Sequence, residues 1–259
     1  MSISPEQRPR QALFAWGAFM ILAVLINGTL PFILGYDLHA WTGSTTKIIL
    51  FSLLIYGGVF LVVPLVTTKG WQVVRQPAFF VPVALAIVGI LLWWPVNRFA
   101  AGIVVLVLVY LHRRFDLSEL GFRSCGIKGD IAAILLMGGM SMIPLLMQGL
   151  QGQLQFATAL WASLERLFGN PASTVENLFY FGFLTEALSR KTGRWLTPPL
   201  IGAMYTLHEM SNPEYWYSGL SFVLVFVGIT LTAAIYLWRR SVVVIWLGDG
   251  LGRFITRLV

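Results

Sequence analysis

Long apolar runs recur along this chain, and they leave few options for its fold. A helix needs roughly 20 apolar residues to cross a bilayer core. Lipid admits only helices and closed barrels, because every backbone polar group must be satisfied inside the segment. Nine apolar segments are read, at Leu13–Tyr36, Lys47–Thr68, Ala78–Trp94, Phe99–Leu111, Ile131–Leu150, Thr174–Ser189, Trp195–Met210, Gly219–Trp238 and Val242–Val259. Only Pro95-Val96-Asn97-Arg98, a turn signal, parts the third from the fourth, which is short enough to be tilted or re-entrant. The chain is 57% hydrophobic and 11% charged, whereas soluble domains carry roughly 25% charged residues. The expected fold class is all-α: a polytopic integral membrane helical bundle of about 8–9 transmembrane segments.

The net charge of +7 would suggest nucleic acid in a soluble protein. Here the basic residues cluster at segment ends, where they act as topology signals, so no nucleic-acid partner is expected. With the N-terminus in the cytoplasm, 13 of the 18 basic residues fall inside: Arg8, Arg10, Lys69, Arg75, Arg113, Arg114, Arg123, Lys128, Arg190, Lys191, Arg194, Arg239 and Arg240. The other five, Lys47, Arg98, Arg166, Arg253 and Arg257, fall outside or within a span. This asymmetry places the chain in the cytoplasmic (inner or plasma) membrane with a cytoplasmic N-terminus. A single cysteine, Cys125, excludes an internal disulfide.

Polar residues inside spans are costly and mark candidate sites. At 1.5 Å per residue, Glu176 lies roughly 21 Å from the basic end at Arg190, and His208 lies roughly 21 Å from Arg194 on the following helix. Arg253, 13 residues past Arg240, lies at roughly 20 Å, with Asp249 one turn deeper on the same face. An acid, an imidazole and a guanidinium thus converge on one level, with Asn177 beside Glu176. Each also has a plainer role. Ser173-x-x-Glu176 fits a capping box, His208 can be an interfacial hydrogen-bonder, and Asp249 and Arg253 can neutralise each other. Glu186 and Arg190, four residues apart, are expected to pair.

Other chemistries fit less well. His208-Glu209-Met210-Ser211-Asn212 lacks the second histidine of a zinc HExxH helix, so no metal is expected. Gly248-Asp249 lacks the surroundings of an intramembrane aspartyl protease. No Gly-x-Ser-Gly nucleophile and no phosphate-binding glycine loop is present. No cofactor is expected. Pro198-Pro199 is the one hint of the broken helices found in transporters.

"DLSELGFR" (Asp116–Arg123), "ENLFYFGFLTEALSRKTG" (Glu176–Gly193), "MYTLHEM" (Met204–Met210) and "YLWRRSVVVIWLGDGLGRF" (Tyr236–Phe254) together resemble the CPBP family of CAAX proteases and bacteriocin-processing enzymes. They match, in order, its linker, its EExxxR motif, its FxxxH motif and the place of its HxxxN or HxxxD motif. The resemblance covers roughly residues 113–256 and implies N-terminal transmembrane helices over 1–112, a cytoplasmic linker over 113–130 and a CPBP-like transmembrane core over 131–259. Glu176 and His208 match the glutamate and histidine that activate water in that family. Asn177 stands in place of the second glutamate and Phe181 in place of the arginine. Met204 replaces the phenylalanine, and Asp249 and Arg253 occupy the third-motif positions. The losses imply a catalytically impaired accessory, scaffold or assembly subunit of a membrane complex, a pseudo-enzyme. The alternative is an active intramembrane endopeptidase using Glu176 and His208. Its partners would be the lipid bilayer and either a membrane protein or a peptide substrate.

The charge asymmetry makes a direct prediction. Single cysteines placed in Gln151–Gln153 or Pro213–Trp216 will react with an impermeant reagent outside the cell, and those near Arg123 or Thr192 will not. The reverse pattern would invert the topology.

Overall fold

The computed structural model describes residues 6–37, 40–41, 44–76, 121–123, 125–140, 142–143, 176–211 and 219–258. Among them every regular element is helical. Helix α1 spans Arg8–Ile33. Helix α2 (Thr45–Ser52) continues as a π-helical stretch, π1 (Leu53–Val62), and then as α3 (Val63–Lys69), followed by a 3-10 turn at Trp71–Arg75. Helix α4 is Ile127–Met140. A second π stretch, π2 (Leu178–Leu184), runs into α5 (Thr185–Met210). Helices α6 (Gly219–Arg239) and α7 (Val242–Leu258) complete the set.

Among the described residues three stretches are long and apolar enough to cross a membrane: Arg8–Ile33, Thr45–Thr68 and Phe222–Arg239. Val242–Gly252 is apolar but shorter. The segments expected at Ala78–Trp94 and Phe99–Leu111 lie outside the described residues, as does Ser173 of the capping box. Local chemistry sets several helix boundaries. Pro9 sits in the first turn of α1, where its missing N–H costs nothing, so the helix starts ahead of its apolar run. Ser44 caps α2 by accepting the Lys47 amide at 3.1 Å. Helix α4 begins at Ile127, within the expected linker, and Asp130 in its first turn favours the positive end of the helix dipole.

Helix α5 is two helices joined at Gly193, whose φ of 72° lies in the left-handed region that glycine tolerates. The join falls between the two spans expected from the sequence. Thr192 donates its hydroxyl to the Leu188 carbonyl at 3.0 Å, and Thr197 donates to Gly193 O at 2.5 Å. These hydroxyls give added donors to carbonyls that flank the bend. Helix α5 forms the most extensive helix pairing, against α6. Gly202 permits it: a Cβ there would lie 2.9 Å from the Phe226 carbonyl oxygen. Helix α7 packs chiefly on α4. One apolar core joins Trp16 and Met20 of α1, Phe60 of π1, Tyr180 of π2, Met204 of α5 and Ile245 of α7.

The corner between α6 and α7 gathers the charges. Arg239 donates from Nε and Nη2 to Asp130 Oδ1 at 2.9 and 2.8 Å, and from Nη2 to the Gly126 carbonyl at 2.9 Å. Arg240, with φ 51°, turns the other way, to Glu186 Oε1 at 2.9 Å and Ser189 Oγ at 3.2 Å. Tyr236 donates to the same Glu186 oxygen at 3.0 Å. The Val242 amide donates to Gly121 O at 2.7 Å. Glu186 therefore pairs across the bundle and not along its own helix with Arg190, as helical spacing had suggested. Arg190 is exposed, where a local pair is worth little.

The Arg239 and Asp130 side chains are only 9% and 14% exposed. Asp130→Leu or Arg239→Leu alone should destabilise the protein by about 3–5 kcal/mol, because each strands a buried charge. The double substitution should recover most of the loss. Thermal unfolding in mild detergent reads both; additive losses would show that the pair is not coupled.

Candidate functional site

Glu176 and Asn177 occupy the helical turn that leads into π2. A π-helix is a rare, widened form that recurs at functional sites. All of π2 is buried, Phe179, Tyr180, Phe181 and Phe183 included. The Tyr180 carbonyl accepts both the backbone N–H of Thr185, five residues on, and its hydroxyl, the latter at 2.7 Å. The opposing π1 presents Phe60, whose ring lies 5.2 Å from Phe179. The two irregular stretches thus pack ring to ring.

From α5, Tyr205 and His208 enter this aromatic layer one turn apart. The Tyr205 hydroxyl donates to Glu176 Oε2 at 3.0 Å. Its ring meets Tyr180 at 4.9 Å and His208 at 5.8 Å, both edge to face. The His208 imidazole stacks on Tyr180 at 5.6 Å and on Phe51 at 6.4 Å, and Phe60 meets it edge-on at 6.1 Å. Trp16 of α1 donates its indole N–H to the Tyr180 hydroxyl at 3.2 Å. His208 is 5% exposed, and its Nδ1 is buried with no hydrogen-bond partner among the described residues. The Asn177 side-chain nitrogen is in the same condition. Glu209 flanks Tyr205 from the same helix, so that hydroxyl stands between two carboxyl groups.

Of the expected site residues, Glu176, Asn177 and His208 gather around π2, with Tyr205 linking the acid to the imidazole. Asp249 lies on α7 beside Gly248, which packs closely on Met137 of α4. The backbone of Arg253 is on the same helix, and its side chain lies outside the described residues. No group of three or more metal-binding side chains occurs among the described residues.

Tyr205, Tyr180, Trp16 and Glu209 belong to the site although charge alone did not single them out. Tyr205-x-x-His208-Glu209 has the spacing of one helix face, and this was the available signal. The contributions of Trp16, Phe51 and Phe60 come from distant segments and left no local mark.

Comparison with protein-family models, with curated proteins and with solved structures finds no match to this chain.

The aromatic surroundings of His208 make a prediction. Replacing a buried polar group that lacks a partner by an apolar group of similar shape can be neutral or stabilising. His208→Phe should leave the melting temperature unchanged or raised. His208→Ala should lose about 3 kcal/mol or more to the cavity it opens. Equal loss in both variants would mean that the imidazole makes an essential polar contact.

Proposed function

We propose that this chain is a divergent CPBP-like protein of the cytoplasmic membrane, N-terminus inside, and a catalytically impaired accessory or assembly subunit of a membrane complex. The observation that carries this reading is the use of Glu176. Its carboxylate accepts the Tyr205 hydroxyl across two helices, and His208 is held among aromatic rings. A water-activating pair needs the acid and the imidazole directed at one solvent molecule, within hydrogen-bond reach of it. Phe181, in the place of the family's arginine, is 1% exposed and part of the core. A position that once oriented a carboxylate now supplies packing. The three membrane-length helices and the basic residues collected near Arg123, Arg190 and Arg239 support the proposed location and orientation.

The second reading, an intramembrane endopeptidase, draws on a different observation. Glu209 brings a second carboxyl group next to Tyr205 and one residue from His208. That partly offsets the loss at Asn177.

The two readings separate in one experiment. On the accessory reading, Glu176→Gln lowers thermal stability, and the double variant with Tyr205→Phe shows coupling between the two positions of about 1 kcal/mol or more. A membrane partner also co-purifies in fixed ratio with the wild-type protein. On the protease reading, Glu176→Gln leaves stability and abundance intact while an uncleaved membrane precursor accumulates. That outcome, with no coupling, would end the accessory reading.

A further inference from the structure

A groove of about 500 Å³ lies between α4 and α7, beside the charged corner and away from the Glu176 cluster. One wall is Ile127, Ile131 and Ile134, the i, i+4, i+7 face of α4, and the other is Val243, Val244 and Leu247 of α7. At its mouth stand Phe122 and Arg123, both exposed. The volume falls in the range of sites that enclose a small ligand.

The polar groups at this mouth are unbalanced. Asp130, the acid in the lining, is already bound by Arg239 at 2.8 Å. Glu186, the other acid of the corner, is bound by Arg240 at 2.9 Å. Arg123 has no carboxylate partner among the described residues. An apolar slot therefore opens under the Arg123 guanidinium, which forms no ion pair among the described residues. Ile127 and Ile131, 73% and 51% exposed, leave the slot open along its side.

We propose that this groove binds one anionic phospholipid, with an acyl chain lying between α4 and α7 and the phosphate paired to Arg123. Three features favour a lipid over a soluble phosphate or a protein helix. The slot is apolar along its length and charged at one end only, as is a phospholipid. Guanidinium forms strong, paired hydrogen bonds with phosphate oxygens. The groove also opens at the basic ends of the helices, the level at which headgroups lie in the topology proposed above.

The test is native mass spectrometry of the full chain released from detergent, titrated with dioleoylphosphatidylglycerol or dioleoylphosphatidylcholine. These probes share their tails and differ in net charge. We expect one retained phosphatidylglycerol, preferred about fivefold over phosphatidylcholine, as one cation near a membrane surface supplies. Arg123→Gln should remove the preference and Arg123→Lys should keep most of it. Ile131→Glu, at an exposed position, should abolish retention of both lipids by placing a carboxylate on the apolar wall. Equal retention of the two lipids by the wild type would overturn the proposal, as would a preference that survives Arg123→Gln. Failure to retain any lipid would show that protein already covers the groove and would overturn it too. Inorganic phosphate competing as well as phosphatidylglycerol would overturn the acyl-chain part and leave an anion site. Because Arg123 and Ile131 lie outside the Glu176 cluster, failure here leaves the accessory reading standing.

Discussion

Arg239 and Arg240 are neighbours in the chain, yet they serve different helices. One reaches Asp130 on α4 and the other Glu186 on α5. The left-handed backbone at Arg240 sends the two guanidinium groups apart. Each carboxylate is largely buried, so neither arrangement tolerates loss of its partner. The corner consequently fixes where α6 ends, where α7 begins and how both stand against α4 and α5. The close approach at Gly202, the packing of α7 on Met137 and the groove beneath Arg123 all presuppose that geometry. Apolar contact alone specifies helix packing loosely, and directional charge pairs narrow the choice.

The Glu176 cluster is held differently. Its cohesion comes from rings: Phe51, Phe60, Phe179, Tyr180, Tyr205 and His208 form a continuous edge-and-face layer. The two π-helical stretches supply Phe60, Phe179 and Tyr180 to this layer. In π2 every residue is buried, so its aromatic side chains meet neighbours on all sides. Tyr205 bonds Glu176 and Trp16 bonds Tyr180 at the edge of this layer, whereas His208 is held in it by its rings. Such a layer suits a rigid interior better than a site that must admit water and a peptide.

Helical character was legible in the sequence because apolar runs of membrane length have no other common solution. The break near Gly193 was legible as well, since Arg190, Lys191 and Arg194 interrupt the apolar pattern there. Glu176 and His208 stood out as polar residues in apolar surroundings, and both belong to one cluster. Tyr205 did not stand out, because tyrosine is ordinary in an apolar helix and its partner lies 29 residues away. Helical spacing paired Glu186 with Arg190, and a cation from another helix prevailed, since a largely buried carboxylate gains more from an ordered tertiary partner than from an exposed one. The π stretches left no trace in composition: Leu53–Val62 reads as any apolar helix would.

The corner also bears on how such a chain is made. On the membrane reading, segments enter the bilayer in order of synthesis. Asp130 is translated 109 residues before Arg239, which at ordinary elongation rates is a delay of roughly 5–20 s. Throughout that interval Asp130 lacks the guanidinium that it pairs with in the fold, and Glu186 waits similarly for Arg240. A chain that ends before Arg239 can form neither pair, whereas one that proceeds two residues past Trp238 can form both. Docking of α6 and α7 onto α4 and α5 therefore waits on two consecutive residues, because both acids of the corner find their partners at Arg239 and Arg240.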